Sequence, residues 1–106
     1  SPLRDVYKRQ IYDVVLNAPF GSQQGRITFV INGESLTGAI DGMGFKSKFN
    51  NGRIHGNNFE FSGEIKILLA KLKYSAKGIL NGNLLSASVD TKYGTFSVTG
   101  SLISQS

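Results

Sequence analysis

The chain has 106 residues, 40% of them hydrophobic, and a formal net charge of +5 at pH 7. This length suits one domain with a modest core, and the apolar content excludes a compositionally disordered chain. The chain contains no cysteine, which excludes disulfides, thiolate catalysis and cysteine-ligated metals. No run approaches the roughly 18 apolar residues of a membrane-spanning helix.

The first ten residues, SPLRDVYKRQ, share no pattern with the rest of the chain. They resemble a read-through leader, so residues 1–10 are expected to be non-native or disordered. Their removal takes away three basic residues and one acidic residue, which lowers the formal charge to about +3. The expected domain is a single unit that spans residues 11–106.

After this segment the sequence predicts eight strands, at about 11–18, 25–32, 34–41, 44–54, 57–67, 70–80, 83–91 and 94–103. Three of the connections repeat a two-residue turn with glycine second, at Asn32-Gly33, His55-Gly56 and Asn81-Gly82. Such a turn favours type I′, because both central residues need a positive φ. The remaining connections are predicted at Phe20-Gly21, Met43-Gly44, Leu69-Ala70 and Tyr93-Gly94, at the opposite end of the sheet.

Hydrophobic alternation gives the predicted strands one buried face. In the fifth strand Phe59, Phe61 and Ile65 share one face, and Glu60 and Glu64 share the other. Closure of the sheet leaves no unpaired edge strand. The predicted fold is therefore all-β, an eight-stranded antiparallel up-and-down (meander) barrel of calycin-like type, made of four hairpin repeats.

The predicted pairing of the fifth and sixth strands can be checked against side-chain chemistry. It sets Glu64 opposite Lys73 and Glu60 opposite Lys77, and it places an aromatic ring beside a glycine in two further pairs, Phe59–Gly78 and Tyr74–Gly63. The fourth strand fits only with an extra residue, so a β-bulge is predicted near Asn50-Asn51-Gly52.

These turn and core motifs resemble a family of small glycine-rich bacterial β-barrel domains of unestablished function, found alone, appended to amidohydrolase-like enzymes or encoded near oxidoreductases. The resemblance rests on four segments, Tyr12–Gly21, Gly33–Gly38, Gly56–Gly63 and Gly94–Gly100. One departure is Leu68-Leu69-Ala70, where the family usually has a proline-containing turn. The resemblance implies a barrel and carries over no catalytic residue.

Candidate groups for catalysis or metal binding are sparse. His55 is the only histidine, and its place in the turn repeat favours a structural role over a ligand role. The carboxylates are spread along the chain with no pair placed for acid–base chemistry. The sequence thus predicts no catalytic residue, no metal site and no cofactor.

A basic stripe runs along two predicted strands at Lys66, Lys71, Lys73 and Lys77. Two of these lysines have predicted glutamate partners, and the aromatic residues alternate inward, away from them. A nucleic-acid binder would instead display aromatic side chains beside its cations. A solvated strand face is therefore expected, with no nucleic-acid partner and no membrane partner.

The predicted interior contains no formal charge, and its few polar members are Tyr12, Ser47 and Tyr74. Small eight-stranded barrels are either filled by side chains or hold one small ligand. Four large residues, Phe20, Met43, Leu69 and Tyr93, are predicted at one mouth, where they would plug the core or form a gate for a ligand. These seven residues are the candidate ligand-binding residues.

The function favoured by the sequence is a non-enzymatic module that binds a small apolar molecule or supports a partner enzyme. Two alternatives remain open. One is a cyclase- or isomerase-type barrel that acts on an apolar substrate with Tyr12 or Tyr74 as hydrogen-bond donor. The other is a purely structural domain of a longer enzyme. The oligomeric state is left open.

Overall fold

The computed structural model describes residues 7–19, 21–42, 44–67 and 69–106. The strands are β1 (Lys8–Ala18), β2 (Gly21–Asn32), β3 (Ser35–Gly42), β4 (Phe45–His55), β5 (Asn58–Ile67), β6 (Ala70–Asn81), β7 (Leu84–Thr91) and β8 (Gly94–Gln105). Each strand pairs antiparallel with the next, and β8 pairs with β1 to close a barrel. The predicted eight-stranded meander barrel is confirmed. In the described part of the chain, no helix is long and apolar enough to cross a membrane.

The barrel begins earlier in the chain than predicted. Lys8 pairs with Ile31 on β2, and Arg9 exchanges two backbone hydrogen bonds of 2.9 Å with Ser106. The first strand therefore starts three residues before the predicted position 11, because these residues complete the ladders to both neighbouring strands. The non-native origin of residues 1–10 stays a prediction.

The three repeated turns contain glycine where a positive φ is needed, but their centres are shifted by one residue. Gly33, Gly56 and Gly82 have φ of 64°, 60° and 63°. Asn32 pairs with Ser35, so glycine is the first of the two central residues and not the second. The first central position is where a type II′ turn carries its glycine. The pairing of the two strands that flank the turn therefore differs by two residues from the predicted pairing. A shift of two residues leaves every side chain on its predicted face.

The predicted bulge in β4 is confirmed. Leu36 on β3 pairs with Gly52, whereas Gly38, two residues further on, pairs with Phe49. One extra residue of β4 is therefore accommodated at the exposed pair Asn50–Asn51. The extra residue returns Gly52 and Ile54 to the inner face that Phe49 occupies.

The pairing of β5 with β6 has the predicted register but not the predicted ion pairs. Glu64 pairs with Lys73, Glu60 with Lys77, and the two aromatic–glycine pairs also form. Among the described residues, the ion pairs within 4.0 Å are Arg26–Asp13 and Lys46–Asp41, and His55 Nδ1 lies 3.0 Å from Glu34 Oε2. The lysines of β6 extend into solvent instead. An ion pair between exposed side chains would add little to the stability of the fold.

The packed core occupies the half of the barrel nearest the Gly33, Gly56 and Gly82 turns. Phe29 has no solvent exposure, and its ring centroid lies 5.1 Å from that of Phe59 and 5.8 Å from that of Tyr12. Phe49 and Phe61 stack with centroids 3.9 Å apart. These rings fill the barrel from wall to wall at this end, which we call the closed end.

Candidate functional site

The other half of the barrel, which we call the open end, encloses a cavity of about 470 Å³. All eight strands contribute to its wall. Most of its lining is apolar, including Val14, Leu16, Ile27, Ile40, Phe45, Phe61, Ile65, Leu72, Val89, Phe96 and Val98. The barrel is therefore filled at one end and hollow at the other.

The aromatic core stops part of the way along the barrel. Phe59 and Phe61 form the floor of the cavity, with the small side chains of Ala76 and Ala87 at the same level of the wall. The aliphatic side chains nearer the mouth, such as Ile65, are only partly buried. They line the wall without meeting across the barrel axis, so space for a small ligand remains.

Tyr74 is the one predicted candidate that lies deep in the cavity wall. The residue is 4% exposed, and no described residue forms a hydrogen bond of acceptable geometry with its buried hydroxyl. Burial raises the pKa of Tyr74, and the neighbouring Ser47 hydroxyl offsets part of that rise. The phenol is thus neutral at physiological pH. The hydroxyl also faces Gly63, where an added Cβ would lie 2.7 Å from the oxygen.

Ser47 belongs to a gap between β4 and β5 that side chains bridge. These strands share three residue pairs near their turn, whereas every other neighbouring pair of strands shares at least seven. At the bulge, Asn51 Nδ2 donates to Ser62 Oγ at 3.0 Å, and the Ser62 amide donates to Asn51 Oδ1 at 3.2 Å. Closer to the mouth, Ser47 Oγ donates to the Glu64 carbonyl at 2.8 Å. The wall next to Tyr74 is therefore held by side chains rather than by a continuous ladder.

The remaining sequence candidates lie in different places. Tyr12 is 1% exposed, donates a 3.3 Å hydrogen bond to Gln10 Oε1 and belongs to the aromatic core, away from the cavity lining. Burial raises the pKa of its phenol as well. Phe20 and Met43 lie outside the described residues. The candidates that line the cavity are Tyr74 and Tyr93, and ligand contact by any of the seven stays a prediction.

The plug interpretation of the mouth is wrong for Leu69 and Tyr93. Leu69 is fully exposed, and Tyr93 is 72% exposed at the edge of the cavity. Both lie in turns, where the backbone leaves the extended conformation. Strand alternation then no longer sets the direction of the side chain. Tyr93 thus borders the opening instead of closing it, and Leu69 extends into solvent from the β5–β6 turn.

Sequence reasoning missed the polar groups of the mouth, the inward-facing Gln23 and Thr91. Gln23 could have been predicted from the sequence, because in β2 it lies on the same inward face as Gly25 and Ile27. It was overlooked because β2 was predicted to start at residue 25, whereas it begins at Gly21.

The described residues contain no cluster of three or more His, Asp or Glu side chains that could hold a metal ion. The single histidine, His55, ends β4 at the closed end, and its Nδ1 lies 3.0 Å from Glu34 Oε2 on the exposed outer surface. It was expected within the turn, but the turn's central residues are Gly56 and Asn57. The His55 side chain is thus remote from the cavity.

No protein-family model matches the chain, and no curated protein matches it. Sequence similarity therefore assigns neither a ligand nor a reaction. The feature with a definite chemical preference is the apolar cavity, whose lining favours the burial of a hydrophobic molecule.

Proposed function

We propose that this protein is a non-enzymatic, calycin-like barrel that binds one small apolar molecule. The observation that carries the proposal is the apolar cavity of about 470 Å³ at the open end. Ligand sites in proteins generally have volumes of roughly 300–1,000 Å³. An apolar cavity of about 150 Å³ in another protein already binds benzene.

The cavity wall favours an uncharged ligand body. The buried part of the lining contains no charged side chain, so an ionised group placed there would lose its hydration without gaining a partner. Polar groups occur at the mouth, where the inward-facing Gln23 and Thr91 can meet a polar end of the ligand. The proposed ligand is therefore an apolar molecule whose polar group, if it has one, stays near the opening.

Tyr74 is the observation that favours the alternative of a cyclase or isomerase. An unpartnered phenol beside an apolar cavity is a potential hydrogen-bond donor to a substrate, and its raised pKa keeps it protonated. However, the oxygen is buried behind the ring, against Gly63 and Ser47, rather than exposed to the cavity. A second group for acid–base chemistry is also missing from the described lining, where Asp41 is already paired with Lys46. Binding is therefore the better-supported function.

The proposal is tested by titration with N-phenyl-1-naphthylamine, a neutral dye that fluoresces in apolar surroundings. We expect saturable binding of one dye molecule per chain. Val89→Phe adds a ring on the inner wall of β7 and should weaken binding at least tenfold, whereas Ser86→Phe adds the same ring on the outer face and should not.

Both variants should show cooperative unfolding, which confirms that the barrel is intact. Equal dye affinities of folded Val89→Phe and Ser86→Phe would contradict cavity binding. Tight binding together with turnover of an apolar substrate that is lost in Tyr74→Phe would favour the enzymatic alternative.

A further inference from the structure

We propose that the open end docks on an anionic lipid surface through the tips of two hairpins. The docking surface consists of Leu69 in the β5–β6 turn, Tyr93 in the β7–β8 turn, and the lysines Lys66, Lys71 and Lys92. We call it the basic rim. Leu69 is fully exposed and all three lysines are exposed. Apolar tips beside cations suit the boundary between lipid headgroups and acyl chains.

The lysines of the basic rim lack anionic partners within the described residues. Lys66 and Lys71 pair directly across the β5–β6 ladder, and neither makes an ion pair. Like charges in such a pair repel each other. Lys92 Nζ lies 5.2 Å from the centre of the Tyr93 ring, which is a cation–π contact rather than a neutralising one. A layer of lipid phosphates would relieve this repulsion.

The nearest carboxylates lie further from the tips. Glu64 pairs with Lys73, two residues below the Lys66–Lys71 pair, and Asp90 accepts a 2.7 Å hydrogen bond from Thr95 below the β7–β8 turn. The first surface that a flat membrane would meet on this side of the barrel is therefore positive.

The opposite side of the same end carries no such excess. In the β3–β4 hairpin, Lys46 Nζ lies 3.8 Å from Asp41 Oδ1, so the two charges offset each other. The β1–β2 hairpin has no charged residue between Asn17 and Ser22. This asymmetry would orient the barrel on the lipid surface with β5–β8 downward and the cavity mouth against the bilayer.

A lipid surface suits the basic rim better than a nucleic acid does. Nucleic-acid recognition by a basic surface generally adds aromatic rings on which bases stack, and this rim carries one tyrosine already covered by a lysine. An exposed leucine adds nothing to phosphate binding, but it can enter the acyl layer. The proposal departs from the expectation of no membrane partner because the structure brings Lys66, Lys71 and Lys92 together with two exposed hydrophobic side chains at the open end.

The test is sedimentation of the full chain with vesicles of phosphatidylcholine alone or in equal molar mixture with phosphatidylglycerol. We expect binding to the mixed vesicles only, weakened by salt. Lys71→Gln should lower the partition coefficient about fivefold, whereas Lys77→Gln, further along the same strand toward the closed end, should leave it unchanged. Leu69→Ala should lower it about tenfold, whereas Leu84→Ala, at an exposed leucine near the closed end, should not.

Equal effects of Lys71→Gln and Lys77→Gln, or equal binding to both kinds of vesicle, would overturn the proposal. So would binding to a mixed-sequence oligonucleotide that competes with the anionic vesicles and ignores Leu69→Ala. Docking does not rest on the proposed ligand site, and the Val89→Phe variant separates the two. That variant should lose dye affinity and keep vesicle binding, so either proposal can fail alone.

Discussion

The two ends of the barrel are built from the same hairpin repeat, yet they pack in different ways. At the closed end, Phe29 packs against both Phe49 and Phe59 across the barrel axis. At the open end, Ile65 and Val89 line the wall around a cavity of about 470 Å³. The comparison shows that alternation alone does not fill a barrel, since inward side chains pack only where those of opposite walls reach one another.

The contrast also separates stability from binding. Close-packed rings at the closed end contribute dispersion and buried area, whereas the wall of the open end lacks contact atoms on its cavity side. Truncation of a core side chain at the closed end should therefore cost more stability than truncation of a side chain in the cavity wall at the open end.

The largest effect is expected for Phe29→Ala. Phe29 is completely buried among four aromatic rings, so its truncation should lower the free energy of unfolding by about 3–5 kcal/mol. Phe45→Ala is the matched control, because Phe45 is partly buried in the cavity wall and should cost about 2 kcal/mol or less. Urea denaturation measures both variants. A Phe45→Ala loss as large as that of Phe29→Ala would remove the distinction between the ends.

A smaller loss is expected for Gly56→Ala in a turn of the closed end. Gly56 has φ of 60°, and no atom lies within 4 Å of the position of an added Cβ. The cost of about 1 kcal/mol is therefore conformational and not steric. Gly44→Ala in a turn of the open end, where φ is 83° and the space is also free, should cost a similar amount. Unequal losses at these two positions would show that the ends differ in backbone strain as well as in packing.

Tyr74→Phe should be neutral or stabilise the fold by up to about 1 kcal/mol, because it removes an unpartnered buried hydroxyl. The pKa of Tyr74 is raised, so above pH 10 the unfolded chain ionises while the folded chain stays protonated. Stability should then fall as the pH rises above 10, and this fall should be smaller in Tyr74→Phe. Thermal unfolding at pH 8 and near pH 11 measures the difference. An equal loss of stability at high pH in the unmodified protein and in Tyr74→Phe would mean that the Tyr74 hydroxyl is not shielded from solvent.

The smallest effect on stability is expected for Leu69→Ala and Tyr93→Ala, each within about ±0.5 kcal/mol. Both side chains are exposed at the open end, so their truncation removes little buried surface. Chemical denaturation checks the values. A loss of 2 kcal/mol or more at either position would restore the plug interpretation and would imply that the mouth closes in solution.

Several features could be predicted from sequence because they depend on local rules. The period of two placed Phe59, Phe61 and Tyr74 inside, and the glycine spacing located three turns within one residue of their centres. The break in alternation after Phe49 predicted the bulge at Asn50–Asn51. The position of glycine within each turn was less well predicted. A register shift of two residues leaves every side chain on the same face of the sheet, so the hydrophobic pattern does not reveal it.

The candidate site was harder to predict, because it depends on contacts around the barrel wall and across its interior. Ser47 was expected in the interior, but its bond to the Glu64 carbonyl depends on how the bulge separates β4 from β5. Leu69 was expected at the mouth, but its direction depends on the turn rather than on the strand.

The sequence by itself determined the number of strands, their antiparallel order, the faces of their side chains and the glycines that need positive φ. Each of these follows from the two-residue period or from the chemistry of a short turn. The tertiary structure decided where the rings meet, where the cavity lies and which exposed lysines lie together at the open end. Those properties depend on distances between residues far apart in the chain, such as Val14 and Phe61 in the cavity wall, which are fixed only when β8 closes on β1.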